Sequence, residues 1–208
     1  MMPWSVYKQL RRMKVILPNR VKILSIYFAT KLSKIFGRKI IEVGVYKGGT
    51  SLFMAQVYGK NSHQQILIDP FVGHPKQSVS NVDGKFHTPG HFSDTSINMI
   101  ESLFSKFLLP LPRIIPSPVE LVDFNLRIFE DIGFVHLDTD LYIPTKHALN
   151  VFLPILPSFS IVIIDDYSSK KAPGVRLACN EFLIQNGSFF HTFVIEKDQL
   201  ILVRKLHK

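Results

Sequence analysis

The chain has 208 residues, 46% of them hydrophobic and 20% charged, which suits one well-cored globular domain and is short for two. No stretch nears the roughly 18 apolar residues that a membrane-crossing helix needs, and a lone cysteine, Cys179, excludes an internal disulfide. The net charge of +9 points toward an anionic partner, and its placement says more than its size.

Ten basic residues, Lys8, Arg11, Arg12, Lys14, Arg20, Lys22, Lys31, Lys34, Arg38 and Lys39, precede the first acid, Glu42. That leaves 15 of the 25 basic residues against all 16 acidic ones, so the remainder is near neutral. Residues 1–37 read as a basic amphipathic helical segment, and 38–208 as the main domain. Two readings of the segment stand side by side. One is contact with an anionic membrane, at its inner face, or with an acidic acceptor; the other is a solvated, Lys-rich helix face. No nucleic-acid motif accompanies the charge, so that partner is not expected. No apolar core with a small-residue cleavage site opens the chain, so no secretory signal is expected. With the unpaired thiol, read as a packed core residue, this predicts a cytoplasmic protein. A homo-oligomer is compatible with the sequence, which does not fix the oligomeric state.

Val21, Leu24, Phe28, Leu32 and Ile35 follow helical spacing, and Gly37 supplies the C-cap. Ile40-Ile41-Glu42-Val43-Gly44-Val45 reads as a buried strand entering a glycine turn, followed by a helix from Thr50 to Tyr58 that Gly59 ends. Ile66-Leu67-Ile68-Asp69 is a second buried strand, closing on an acid. Residues 70–93, with Pro70, Gly73, Pro75, Gly84, Pro89 and Gly90, form a long loop of the kind that covers a site. Asp94, Thr95 or Ser96 caps a helix running to about Phe107, and Arg113-Ile114-Ile115 is a short strand. Ser117-Pro118-Val119-Glu120 has capping-box spacing with proline at the first helical position, which predicts a helix start. Gly133 to Asp138 and Ile161 to Asp165 are further apolar strands ending on acids. One helix, around Thr145 to Phe152, lies between them, and another runs from about Gly174 to Gln185. Phe189 to Ile195, a polar turn at Glu196-Lys197-Asp198 and Leu200 to Val203 predict an antiparallel hairpin. The fold expected is α/β and doubly wound, with a mostly parallel seven-stranded sheet. The closing hairpin separates the class I methyltransferase variant of this fold from its nicotinamide-binding relatives.

Ligands of such sheets bind beyond the C-terminal strand ends. Glycines at 44, 48 and 49 let backbone approach a ligand, and the helix start near Thr50 favours an anionic group, although ordinary packing explains such glycines equally well. Asp69, ending the second strand, suits ribose hydroxyls. Asp138, Asp140, Asp165 and Asp166 converge on two neighbouring strand ends, where unpaired carboxylates repel and are costly to desolvate. A divalent cation bound by oxygens, magnesium, manganese or calcium rather than zinc, removes both problems. The plainer alternative is a helix cap at Asp140 and solvated turn acids at 165 and 166. His136 reads as a packed or hydrogen-bonded histidine, and His87 and His91 lie in the covering loop, within reach of an acceptor.

Glu42-Val43-Gly44-Val45-Tyr46-Lys47-Gly48-Gly49-Thr50-Ser51, Leu137-Asp138-Thr139-Asp140-Leu141-Tyr142 and Ile164-Asp165-Asp166-Tyr167 together resemble the macrocin O-methyltransferase family. Asp69, Phe71, Gly73 and Pro75, Phe92-Ser93-Asp94-Thr95-Ser96 and Pro173-Gly174-Val175-Arg176 extend the likeness from about Ile40 to Gln185. The resemblance implies a magnesium-dependent (or manganese-dependent) enzyme that methylates sugar hydroxyls from S-adenosylmethionine. It implies metal ligands at Asp138, Asp165 and Asp166, a general base at Asp140, and cofactor contacts at Glu42, Gly44, Ser51 and Asp69. The chain departs from the family at Ile143-Pro144, Pro116-Ser117, Phe159-Ser160 and His74. Competing expectations are a metal-dependent methyltransferase of catechol-like phenols and a catalytically idle relative that binds an anionic surface.

Overall fold

Apolar runs that each end on an acid or a glycine become adjacent strands in a computed structural model of the protein, which describes residues 3–196 and 198–206. The strands are β1 (Lys39–Val43), β2 (Gln65–Ile68), β3 (Arg113–Ile115), β4 (Ile132–Leu137), β5 (Ile161–Ile164), β6 (Phe190–Ile195) and β7 (Gln199–Arg204). They form one sheet in the order β3-β2-β1-β4-β5-β7-β6. The first five are parallel, and β7 and β6 close the edge antiparallel, as the alternation of strands and helices and the final hairpin predict. Lys197 of the predicted hairpin turn lies outside the described residues.

Register is what builds the site. Ile68, Val43, Leu137 and Ile164 pair across β2, β1, β4 and β5 as one row. The next residues, Asp69, Gly44, Asp138 and Asp165, therefore leave the sheet side by side. Backbone bonds carry the row one step further, from Gly44 N–H to Ile68 O (3.0 Å), Asp138 N–H to Val43 O (2.9 Å) and Asp165 N–H to Leu137 O (2.9 Å).

Helices cover both faces, because both faces of each central strand are apolar. On one side lie α1 (Trp4–Arg12), α2 (Arg20–Ile35), α3 (Gly49–Tyr58) and α4 (Ile97–Lys106), around Phe53, Ile40, Leu67, Phe134 and Ile163. On the other lie α5 (Tyr142–Phe152) and α6 (Pro173–Asn186), around Ile41, Val135, Leu137, Val162, Phe182 and Cys179. Tyr7 of α1 packs edge-on against Phe53, and its hydroxyl donates to the carbonyl of Pro18 (3.1 Å). The basic N-terminal stretch is thereby locked onto α3.

One orientation left open by the spacing is settled, and one local expectation changes. α2 buries Ile23, Ile26, Ala29, Thr30 and Ser33, and exposes Val21, Phe28, Leu32 and Ile35, the last by 67%. The small residues let the helix sit close to the sheet: a side chain on Gly133 of β4 would strike Ser33. The capping-box segment yields only a 3-10 turn, Val119–Leu121, because the Ser117 hydroxyl donates to the Pro118 carbonyl (3.0 Å) and no side chain caps the turn. Ser96 is the cap of α4, accepting from Met99 N–H (3.3 Å). No described helix is long and apolar enough to cross a membrane.

Candidate functional site

The row of strand ends opens into a cleft of about 420 Å³, within the range of small-molecule and cofactor sites. Residues 42–46, Asp69, 138–141, Asp165 and Asp166 line it from the sheet. Gly73, His74, Pro75 and Phe92 line it from the loop between β2 and α4, and Val15, Leu17, Pro18, Asn19 and Lys22 from the N-terminal stretch.

At the β1–β2 side the acids are already satisfied. Asp69 accepts from the backbone amides of Val45 (2.7 Å), Tyr46 (3.0 Å) and Phe71 (2.6 Å). Burial pushes its carboxyl above the usual range, and these three amides work against that rise. Glu42, almost fully buried, accepts from the Ser51 hydroxyl with one oxygen and faces His136 Nδ1 (3.1 Å) with the other. Ser51 does not reach the cleft wall; it holds Glu42 from behind. Gly44 has φ +86°, and a side chain there would overlap the Asp138 carbonyl. Gly49 likewise clears the backbone carbonyl of Val15. Close approach of two chain segments thus requires both glycines, while Gly44, Gly49 and Thr50 still face the cleft. Among the described residues no side chain caps α3, so the amides of its first turn remain donors for an anionic group.

At the β4–β5 side the acids face one another. Oxygens of Asp138, Asp140 and Asp166 lie within 4.8 Å of each other, and a second group within the same limit joins Asp138 to Asp165 and His136. Asp138 is common to both. Among the described residues, no side chain or amide donates to the Asp138 carboxylate. Burial, then the charges of Asp165 and Asp166, raise its carboxyl well above the usual range. Burial, then Asp138 and Asp166, do the same to Asp140. Asp165 differs: burial raises it, but His136, Lys22 and an amide donated by Gln199 (2.5 Å) outweigh burial and hold it below the usual range. His136, whose burial favours the neutral ring, is raised to about 10 by Asp165 and Glu42 on its two sides. Its Nε2 stands 3.6 Å from Asp165, an ion-pair distance that leaves the nitrogen without a hydrogen bond.

Asp140 (φ +60°) and Asp166 (φ +59°) both sit in the left-handed region, as do Tyr46 and Phe92 across the cleft. Each such residue costs about 1–2 kcal/mol, and strain of this kind gathers at functional sites. The hard oxygen set, its crowding and the raised carboxyls fit a magnesium-like or manganese-like ion. The four aspartates singled out in the sequence do come together, although Asp165 groups with His136 and Asp138 rather than with Asp166.

Three contributors escape a reading of strand ends. Lys22 Nζ lies 3.4 Å from Asp166 and 2.7 Å from Asp198, bringing the N-terminal stretch and the hairpin turn to the acids. Asn19 caps α2, its Oδ1 accepting from Val21 N–H (2.9 Å) and Lys22 N–H (3.0 Å), and so aims Lys22; Asn followed by a helical run was the available signal. Asp83, deep in the loop before α4, accepts from the Tyr142 N–H (2.6 Å) that begins α5. That bond docks the loop onto the acidic side.

Residues 18–189 match the macrocin-O-methyltransferase (TylF) family. A curated relative from Streptomyces olivaceus, 8-demethyl-8-(2,3-dimethoxy-alpha-L-rhamnosyl)-tetracenomycin-C 4'-O-methyltransferase, is 26% identical over 149 residues, covering 62% of this chain and 52% of the relative. The chain thus spans about half the length of the curated relative it matches. The solved O-methyltransferase NovP superposes with a TM-score of 0.75 at 20% identity, over 88% of this chain and 79% of NovP. The calicheamicin methyltransferase CalS11 gives 0.75 at 21% identity, over 97% and 86% of the two chains. At those identities the likeness to the solved structures establishes a shared fold.

Proposed function

The chain belongs to the macrocin-O-methyltransferase (TylF) family, and from that premise we propose that it methylates a hydroxyl of a sugar or glycan, using S-adenosylmethionine and a divalent cation. The observation that carries this reading is the unsatisfied acid cluster at the end of β4, one strand from a cleft wall built for an anionic group. A curated relative named as a 4'-O-methyltransferase of a rhamnosyl-bearing compound supports the acceptor class.

S-adenosylmethionine, when bound, supplies an electrophilic methyl group and leaves as a neutral thioether. Glu42, Gly44 and the free amides of α3 would hold its amino-acid end, with Ser51 fixing Glu42 and the remaining lone pairs of Asp69 meeting the ribose. Asp138 would hold magnesium or manganese with Asp166 on one side and Asp165 on the other, each grouped with Asp138 separately, and the ion when bound lowers the pKa of a coordinated hydroxyl. Asp140, beside Asp138 and Asp166, would accept the hydroxyl proton at its carboxylate. The loop anchored by Asp83 would keep water from the acceptor hydroxyl. Methyl transfer from labelled cofactor to a panel of glycosides and catechols, with and without chelator, tests the proposal. Turnover on glycosides that stops with chelator is expected. Chelator-insensitive transfer, or transfer to catechols alone, overturns it.

We also infer that the exposed stripe of α2, with Phe28, Leu32, Ile35 and Phe36 among exposed Lys31 and Lys34, rests on an anionic lipid surface at the cytoplasmic side. Support comes from charge complementarity, since no acid precedes Glu42. Co-sedimentation with phosphatidylserine vesicles at low salt should be lost in Phe28→Glu/Leu32→Glu. Binding unchanged by those substitutions, or a salt-insensitive dimer through the same face, refutes the lipid reading.

A further inference from the structure

Three histidines of the loop between β2 and α4 gather beside the cleft, which His74 lines. One ring nitrogen from each of His74, His87 and His91 lies within 4.8 Å of the other two. His74 Nε2 and His87 Nδ1 are 3.2 Å apart. Two imidazoles bound to one tetrahedral zinc at 2.0–2.1 Å place their nitrogens about 3.3 Å apart, so this pair already has the spacing of co-ligands.

The surroundings hold that arrangement in place. Residue 74 and residues 90–91 are tied by two backbone hydrogen bonds, His74 N–H to His91 O and Gly90 N–H to His74 O, both 2.9 Å. A side chain on Gly73 would strike the carbonyls of Gly90 and His91, so the two segments meet as closely as glycine permits. The His91 ring stacks on Phe92 with centroids 4.1 Å apart and planes 12° from parallel. Behind His87, its second nitrogen, Nε2, stands 4.0 Å from Asp140 Oδ1. At that distance the two are not hydrogen-bonded, but the carboxylate lies on the side of the ring where the outer-shell partner of a ligand imidazole sits. Burial, then the neighbouring rings, lower His74 to about 4, so it is neutral near pH 7, the state in which imidazole binds metals.

We propose that His74, His87 and His91 form a second metal site, made of nitrogen donors, that takes a borderline divalent ion such as zinc or cobalt(II) in preference to magnesium. Imidazole selects such ions, whereas the neighbouring carboxylates select hard ones. Three protein ligands leave a fourth position for water or an oxygen of a bound molecule. The ion would fasten residue 74 to residues 87 and 91, closing the loop on itself beside Asp140. This site stands whether or not the acidic cluster serves methyl transfer.

Cobalt(II) titrated into metal-free full-length protein reads the site directly through its visible absorption. Intense bands of a four-coordinate ion should appear at one equivalent in the wild type and in Asp138→Ala. Zinc should displace them, and excess magnesium should not. His91→Ala, at an exposed position, and His74→Leu should abolish the bands. Zinc affinity, followed by competition, should fall by more than the roughly 10–100-fold that losing an outer-shell partner costs. Circular dichroism without metal checks that each variant is folded, and His91→Ala carries the test alone if His74→Leu is not. Bands that survive both histidine substitutions, that vanish in Asp138→Ala, or that never appear would overturn the proposal; in the last case the 3.2 Å contact is an ordinary hydrogen bond between neutral rings.

Discussion

At the ends of β1 and β2 the protein surrounds its buried carboxylates with its own donors, whereas at the end of β4 the carboxylates are left facing one another. Asp69 has three backbone amides, and Glu42 has a hydroxyl and an imidazole. Asp138, Asp140 and Asp166 have chiefly each other, with Lys22 at 3.4 Å from the last. Acids that the protein itself satisfies shape a wall. Acids that repel one another in a partly buried site reach a low-energy state only by binding protons or a cation. The same side chain chemistry therefore offers pre-oriented acceptors on one side of the cleft and unpaired charge on the other.

That contrast can be broken experimentally. The largest effect is expected from Asp138→Ala, which removes the member common to both acid groups. Methyl transfer should fall below detection while the metal-free protein melts higher, by about 2–4 °C for each kcal/mol of repulsion relieved; a lower melting temperature with activity retained would erase the distinction. Asp140→Asn comes next, with a rate loss of about 10²–10⁴ and unchanged cofactor affinity by calorimetry. Third is the pH response. Asp138 and Asp140 are raised above the ordinary 3.8, so the folded state holds their protons more tightly than the unfolded chain. Their stabilising contribution is complete below about that pH and is lost as pH climbs through the raised values. Magnesium should therefore raise the melting temperature more at pH 8 than at pH 5; equal shifts would mean that protons on these acids do not compete with an ion at the cluster. The smallest effect belongs to the satisfied side: Ser51→Ala should destabilise the fold by about 1–3 kcal/mol by stripping a donor from buried Glu42, measured by urea unfolding.

Much of this was legible in the sequence because parallel strands announce themselves. Ile66-Leu67-Ile68 and Ile161 to Ile164 are unbroken apolar runs, and the acid after each marks the end that faces a ligand. The acidic cluster followed from that pattern, since register aligns successive strand ends. What periodicity could not settle was the orientation of α2. Its large apolar residues keep helical spacing, yet the inward face is the one with Ala29, Thr30 and Ser33, because close packing against Gly133 rewards small residues there more than bulk. The reach of Lys22 to Asp166 was likewise hidden, since it depends on where the N-terminal stretch crosses the cleft. Ser117-Pro118 misled for a local reason: the hydroxyl found a carbonyl before it found an amide.

The packing of Gly44 against the backbone carbonyl of Asp138 has a thermodynamic corollary. The turn that begins one wall of the cleft cannot shift without pushing the residue that anchors the other. Occupants of the two walls would then be coupled through that contact, as through His136 between Glu42 and Asp165, and linkage runs both ways: whatever factor the first to bind contributes to the affinity of the second, the second returns to the first.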